Sequence, residues 1–401
     1  MFSDIILPQY VSCIIDMLTG SSYEAYAVGG CVRDALMGKE PHDYDITTSA
    51  LPEEVKGIFS DKYRVIETGI KHGTVTVISD GHPIEITTYR IDGEYKDNRR
   101  PESVKFSGNL ADDLGRRDFT VNALVYSDKS GIIDLFGGIG DLENRVLRCI
   151  GNPHDRFCED ALRILRALRF SSQLDFDIDK NTADAIHGLK ELLKNISAER
   201  IREELIKFFG SEYPERVYEI LTDYKDVFSY VIPHLSSVDE YEKISRSVSK
   251  ISDRDLRLIY FSHVTGNAGD VLRRLRFSNA DISRAIGASA ALNKACGVSD
   301  YISAKHFVKE HGYASSFDAA NIISFVTGRD ELLGYIRRIK ENNECVSLKD
   351  LAISGNDILN IGIKDASDIG KALDTLLCGV IDGKFENERS SLEIAYREMN
   401  Y

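Results

Sequence analysis

Two neighbouring stretches decide the fold: Ala25-Tyr26-Ala27-Val28-Gly29-Gly30-Cys31-Val32-Arg33-Asp34 and, eight residues further on, His42-Asp43-Tyr44-Asp45-Ile46. A short apolar run closed by a glycine pair and continued by a helical pattern reads as strand, tight turn and helix. Glycines at such a turn let backbone N–H groups approach a phosphate, and Arg33, one turn into the helix, reaches the same anion. Taken alone, the glycine pair reads equally as a plain turn. Asp43 and Asp45 stand two positions apart where the next predicted strand, Tyr44 to Thr47, begins; on a strand this spacing puts both carboxylates on one face. That is costly unless a cation lies between them. Mg²⁺ suits the place, because it takes hard oxygen ligands and an incoming triphosphate can complete its octahedron. A lone pair of surface acids would be a solvated turn; the nearby glycine turn favours the metal.

Working outward, the first 150 residues alternate short apolar runs with glycine and proline, as an α/β or α+β domain does. Further strands are expected over Thr74 to Ser79, Pro83 to Tyr89 and Val121 to Tyr126, and a helix over Leu51 to Phe59 with Pro52 in its first turn. Glu85 alternates with Ile84 and Ile86, which makes it either a third carboxylate or part of an exposed strand face. In Asp113-Leu114-Gly115-Arg116-Arg117-Asp118-Phe119-Thr120-Val121-Asn122, paired arginines beside an acid and an amide suit triphosphate and ribose contacts. From about Asp155 the texture becomes helical. Arg163, Arg166 and Arg169 recur every three residues after Asp160, and three arginines without an acid among them favour an anionic ligand. Segments such as Ala198 to Phe209 and Asp253 to Ser262 are amphipathic, and Leu348 to Asn387 reads as short helices joined by turns.

The 401 residues are 43% hydrophobic and 28% charged, ordinary globular proportions that exclude a disordered or collagenous chain. A net charge of −14 argues against a general polyanion binder. Arg145 to Lys207, with 12 Lys and Arg against 11 Asp and Glu, is the less acidic exception. Seven scattered cysteines without a Cys-x-x-Cys pair indicate neither a disulfide framework nor a thiolate zinc site. They fit a reducing cytoplasm. Met1 to Leu18 lacks the basic start of a secretory leader, and no membrane-spanning segment is expected.

The blocks Gly29 to Asp34, Asp43-Tyr44-Asp45, Gly69-Ile70-Lys71-His72-Gly73-Thr74, Arg90 to Tyr95 with Arg99-Arg100-Pro101, Arg116 to Thr120 and Glu159 to Arg163 occur in this order. Together they closely resemble the bacterial and eukaryotic class of tRNA nucleotidyltransferases, the CCA-adding enzymes of the polymerase β-like superfamily. The resemblance is dense over residues 20–210 and looser beyond, where it includes Gly355-Asn356-Asp357 and Ile369-Gly370. It implies an α+β fold: a nucleotidyltransferase head (1–145) with a mixed sheet, followed by an all-α neck (146–207), body (208–285) and tail (286–401). It implies catalytic Asp43, Asp45 and Glu85, with the first two holding Mg²⁺. Gly30 and Arg33 would touch the triphosphate, Arg117, Asp118 and Asn122 the nucleotide from the head, and Asp160, Arg163, Arg166 and Arg169 the nucleotide from the neck. The partners implied are tRNA, ATP and CTP, with the tail binding tRNA; no protein partner is indicated.

The implied chemistry is template-independent addition of C, C and A to the tRNA 3′ end. Cytosine and adenine both offer an amine donor beside an unprotonated ring nitrogen. Asp160 can accept from the first and Arg163 donate to the second, whereas uracil and guanine invert that pattern. The retained segment from Arg90 to Pro101 favours complete CCA addition over CC-only or A-only relatives. An acidic tail, with 13 Lys and Arg against 17 Asp and Glu from Ile286 to Tyr401, argues against a poly(A) polymerase. The non-enzymatic alternative is an RNA-binding module whose acids are structural. No histidine triplet of the phosphohydrolase type is present, His234, His263, His306 and His311 being isolated, so no second hydrolase activity is expected.

Overall fold

The computed structural model describes residues 4–93, 104–232, 235, 241–361 and 368–398. Glu94, Tyr95, Arg99, Arg100, Pro101 and His234 lie outside them. The chain divides into two compact units, Met1–Ser236 and Ser237–Tyr401.

The first unit opens with α1 (Gln9–Gly20), β1 (Ala25–Val28), α2 (Gly30–Leu36), β2 (Tyr44–Thr48) and α3 (Pro52–Phe59). β3 (Arg64–Ile66), β4 (Thr74–Ser79), β5 (His82–Thr88) and the hairpin of β6 (Arg90–Asp92) and β7 (Val104–Phe106) follow. Then come α4 (Leu110–Gly115), β8 (Leu124–Ser127), β9 (Gly131–Asp134) and α5 (Gly138–Glu143). Strands β3-β4-β5-β2-β1-β8-β9 form one sheet, short at both edges. It is mixed: β2 runs parallel to β5, while β1 is antiparallel to both β2 and β8. The parallel pair exists because α3, β3 and β4 carry the chain across before β5 begins, as parallel neighbours require. Alternation fixes the register: Tyr44, Ile46, Ile84 and Ile86 are buried, whereas Asp45 and Glu85 face outward. Asp45 pairs with Glu85 across β2 and β5, so the two carboxylates stand side by side on one face.

The expected strand over Val121 to Tyr126 starts later. Thr120–Asn122 is a 3₁₀ turn, and the strand runs from Leu124. The cause is close packing: a Cβ on Gly138 would lie 2.3 Å from the Thr120 carbonyl oxygen, so the segment is pinned against α5 before it can extend. The other expected strands match within about two residues, the usual uncertainty of element ends.

The unit continues with β10 (Val146–Leu147), α6 (Pro153–Glu159), α7 (Leu162–Leu174), β11 (Asp177–Ile178) and α8 (Lys180–Leu189). It ends in α9 (Ala198–Phe209), α10 (Pro214–Asp223) and α11 (Lys225–Val231). Proline opens α6, where its missing N–H costs nothing, and the Asn152 side chain caps it by accepting from the His154 N–H. α7 buries Ile164, Leu165, Ala167 and Leu168 and packs against α9.

The second unit is helical: α12 (Tyr241–Lys250), α13 (Arg254–Val264), α14 (Ala268–Arg274), α15 (Asn279–Lys294), α16 (Tyr301–His311), α17 (Tyr313–Thr327) and α18 (Glu331–Glu341), then α19 (Gly355–Ile361), α20 (Ile369–Ile381) and α21 (Arg389–Glu398). Phe307, Ala320, Leu333 and Ile336 centre one core, and Ile358, Leu376, Ile381 and Leu392 another. Arg284 ties α15 to Asp318 at 2.8 Å and to Asp255 at 3.1 Å. All seven cysteines are free. Among the described residues no helix is long and apolar enough to cross a membrane.

Candidate functional site

Between the sheet and α7 lies a cleft of about 330 Å³ whose walls include Gly29, Gly30, Arg33, Asp45, Arg117 and Asn122 on the sheet side. Asp118, Asp160, Arg163, Arg166, Arg116 and Phe170 complete the lining. Five guanidiniums against three carboxylates make it a site for an anion that can still present acids to a cation.

Its floor is the glycine turn. Gly29 has φ +81°, a conformation that side chains rarely adopt, and an added Cβ would stand 3.2 Å from the Arg117 guanidinium. The turn is held by the Gly29 N–H, which donates to the Leu124 carbonyl at 3.0 Å. Arg33 is buried and donates to Asn122 Oδ1 at 2.5 Å and to Asp34 at 2.8 Å. The two arginines of the Asp113 to Asn122 block are braced by Asp113, which is fully buried. It accepts two hydrogen bonds from Arg116, one from Arg117 at 3.2 Å and one from the Thr47 hydroxyl at 3.0 Å. Burial pushes the Asp113 carboxyl up, but the two guanidiniums outweigh it and hold it below the usual range.

Asp45 is the acid of this floor. Desolvation, then the neighbouring Glu85, and more weakly Asp43, push its carboxyl up to about 6 against the pull of Arg117. Asp43, two positions earlier and just ahead of β2, is exposed. Among the described residues no three His, Cys, Asp or Glu side chains gather closely enough to hold a metal by themselves. The donor set fits a hard cation that takes two carboxylates and fills its shell with phosphate oxygens and water, as Mg²⁺ does. A carboxyl raised by its own burial and by a neighbouring acid, as Asp45 is, is what such a cation relieves.

The opposite wall is built by the break between α6 and α7. Asp160 sits there with extended backbone (φ −137°, ψ 101°); it accepts from the Leu162 N–H at 3.1 Å and from Arg200 at 2.8 Å. Arg163 donates to Glu159 at 2.8 Å and to the carbonyls of Arg156 at 3.1 Å and Arg116 at 2.7 Å, fixing its plane. Asp118 is saturated: Oδ1 accepts from the Phe119 N–H and the Asn122 amide, Oδ2 twice from Arg166. Burial raises its carboxyl, yet Arg166 and Asn122 hold it far below the usual range. Its geometry is that of a brace between the two walls.

The structure thus gathers Gly30, Arg33, Asp45, Arg117, Asp118, Asn122, Asp160, Arg163 and Arg166 round one space, with Asp43 and Glu85 beside Asp45. Arg169 is not in the lining. It is 5% exposed and pairs with Glu204 at 3.1 Å, and burial lowers its guanidinium to about 10. No acid lies among the three α7 arginines in the sequence, and their counter-acids come from outside that run: Glu159, Asp118 and Glu204, two of the three from distant segments. Gly29 and Arg116, read from the sequence within the glycine turn and the arginine pair, are in the lining as well; missed in the sequence were Phe170 as lining and Asp113 as brace. Asp113 could have been found, since it stands three and four residues before Arg116 and Arg117, the spacing at which side chains meet across one helical turn.

Over most of its length the chain is 34% identical to the CCA-adding enzyme of Levilactobacillus brevis, the match covering 95% of this chain and 96% of that one. The chain belongs to the CCA-adding enzyme family. It is therefore an enzyme of nucleotidyltransferase type. The CCA-adding enzyme of Lactobacillus johnsonii is 35% identical, covering 96% and 97%. The solved Bacillus stearothermophilus CCA-adding enzyme, crystallised in complex with CTP, superimposes with a TM-score of 0.83 at 30% identity, covering 98% of each chain. Family models match in three blocks: the Poly A polymerase head domain over residues 25–148, a model named for an RNA and SrmB-binding site of polymerase A over 175–238, and tRNA nucleotidyltransferase domain 2 over 255–395. The first covers the sheet with the glycine turn and Asp45; Asp160 to Arg169 fall between the first and the second.

Proposed function

We propose that this chain adds C, C and A to the 3′ end of tRNA, taking CTP and ATP and releasing pyrophosphate. The observation that carries the reading is the cleft: it sets Asp45 beside the glycine turn and a row of arginines on one wall, and an aspartate–arginine pair on the other. The names of the relatives and the tRNA nucleotidyltransferase model over residues 255–395 support tRNA as acceptor, and such processing belongs to the cytoplasm. The same assignment gives head 1–145, neck 146–207, body 208–285 and tail 286–401.

Enzymes of this family work with a divalent metal; here Asp43 and Asp45, with Glu85 adjacent, would hold Mg²⁺. When bound it supplies charge neutralisation at the transferring phosphate and activation of the RNA 3′-hydroxyl. The chain's own residues do the rest. Gly30 leaves room for the triphosphate, and Arg33 and Arg117 neutralise it. Arg116 orients the phosphates, and Asp118 and Asn122 keep Arg166 and Arg33 in place, so the nucleotide meets a preformed cage. Asp160 accepts the exocyclic amine of cytosine or adenine and Arg163 donates to the ring nitrogen. Because Arg163 is locked by Glu159 and two carbonyls, uracil or guanine would leave buried polar groups unmatched, a discrimination of ~10⁴-fold.

Incorporation of labelled CTP and ATP into tRNA lacking its 3′ end tests the proposal, each triphosphate being supplied alone and together. CC then A is expected. Continued addition from ATP alone would instead support poly(A) synthesis, the second reading that the head-domain match leaves in view. Asp43→Ala is expected to cut transfer by at least ~10³-fold with tRNA binding retained; transfer at the wild-type rate would remove Asp43 from the metal site.

A further inference from the structure

Phe170 lies at the back of the cleft, 9% exposed, with three guanidiniums around one ring. Arg33 reaches it from α2 with its central carbon 5.3 Å from the ring centroid, and Arg166 and Arg169 reach it from α7 at 5.2 and 4.0 Å. Phe119 meets the ring edge-on at 5.8 Å, fixing its plane. Each arginine is paired with an acid elsewhere, respectively Asp34, Asp118 and Glu204. The ring is the place where the three cations converge. Three like charges repel at such range, and an aromatic face, with its negative quadrupole, is the uncharged surface that offsets this without adding an acid that would repel a triphosphate.

We infer that Phe170 is a positioning residue that sets the Arg33 and Arg166 guanidiniums at the spacing in which they receive the triphosphate. This rests on the reading of the cleft as the nucleotide site. Phe170 acts through the arginines, and its electrostatic face rather than its volume does the positioning. A leucine would fill much of the same space and offer the cations nothing.

The test uses the full-length chain with Phe170→Leu, and with a 3,4,5-trifluorinated phenylalanine at position 170, which keeps the ring's shape and removes its negative face. KM and kcat for CTP and ATP are measured on tRNAs ending one or more nucleotides short. Phe170→Leu is expected to raise KM for both triphosphates about tenfold, the size of one or two lost cation–π contacts. The fluorinated ring is expected to raise KM in the same direction with an unchanged melting temperature. Wild-type KM with the fluorinated ring, or an effect confined to kcat, overturns the inference while leaving the cleft reading intact. A wild-type chain that transfers neither nucleotide overturns both.

Discussion

The Asp118 brace offers the sharpest energetic test. In Asp118→Asn the side chain keeps its shape, and its amide oxygen can still accept from the Phe119 N–H and from Asn122 at 2.9 and 3.0 Å. The new NH₂ group then faces the two Arg166 donors that held Oδ2. Breaking a buried ion pair from one side costs ~3–5 kcal/mol. Asp118 is 8% exposed, but the Arg166 side chain is 33% exposed and regains water when its partner is lost. That discount leaves about 2 kcal/mol, or ~4–8 °C of melting temperature for a unit of this size. The pH dependence has a definite sign. The folded carboxyl is held below its ordinary value, so its contribution is complete above the unfolded pKa of about 3.9 and is lost as pH falls through the folded one. Thermal melts of wild type and Asp118→Asn are therefore expected to differ by a constant gap between pH 5 and 8, narrowing only in stronger acid. A gap below 1 °C at neutral pH would refute the brace. A gap as wide in strong acid as at pH 7 would refute its electrostatic origin.

Three further outcomes follow from the geometry. Gly29→Ala forces a side chain into φ +81° and against Arg117, which at ~1–3 kcal/mol of strain is expected to raise KM for both triphosphates in steady-state assays, with Gly20→Ala as the silent control. The pair Asp160→Ala and Arg163→Ala is expected to erase the preference for C and A over U and G in assays with each of the four triphosphates while metal-dependent transfer persists; unchanged selectivity would defeat protein side chains as the template. Gly138→Ala drives a Cβ to 2.3 Å from the Thr120 oxygen. It is expected to lower the melting temperature of the chain beyond any other glycine substitution named here.

Much of this was legible in the sequence because the signals are local. Alternation in Tyr44 to Thr47 and Ile84 to Ile86 gives both the strands and the face that carries Asp45 and Glu85. Gly29-Gly30 gives the turn, and the apolar residues at helical period give α7. What could not be read is pairing over distance. Arg166 finds Asp118 48 residues away and Asp160 finds Arg200 40 residues away, and no period or motif announces such partners. Val121 to Tyr126 misled for a related reason. Its apolar content suits a strand, and only the approach of Gly138 from outside the segment bends Thr120–Asn122 into a turn. Arg169 was grouped with Arg163 and Arg166 by spacing, but steps of three residues drift round a helix. Two steps on from Arg163 the side chain lies outside the lining, paired with Glu204.

The seven-stranded sheet stops at β3 and β9, three and four residues long, with Arg64 at one rim and Asp134 at the other. Its longest strands, β4 and β5, are enclosed by neighbours on both sides. Little unpaired backbone is left at either margin for a second molecule to zip onto. Copies that met edge to edge along this sheet would find short margins with few free backbone groups, a poor template for fibre growth.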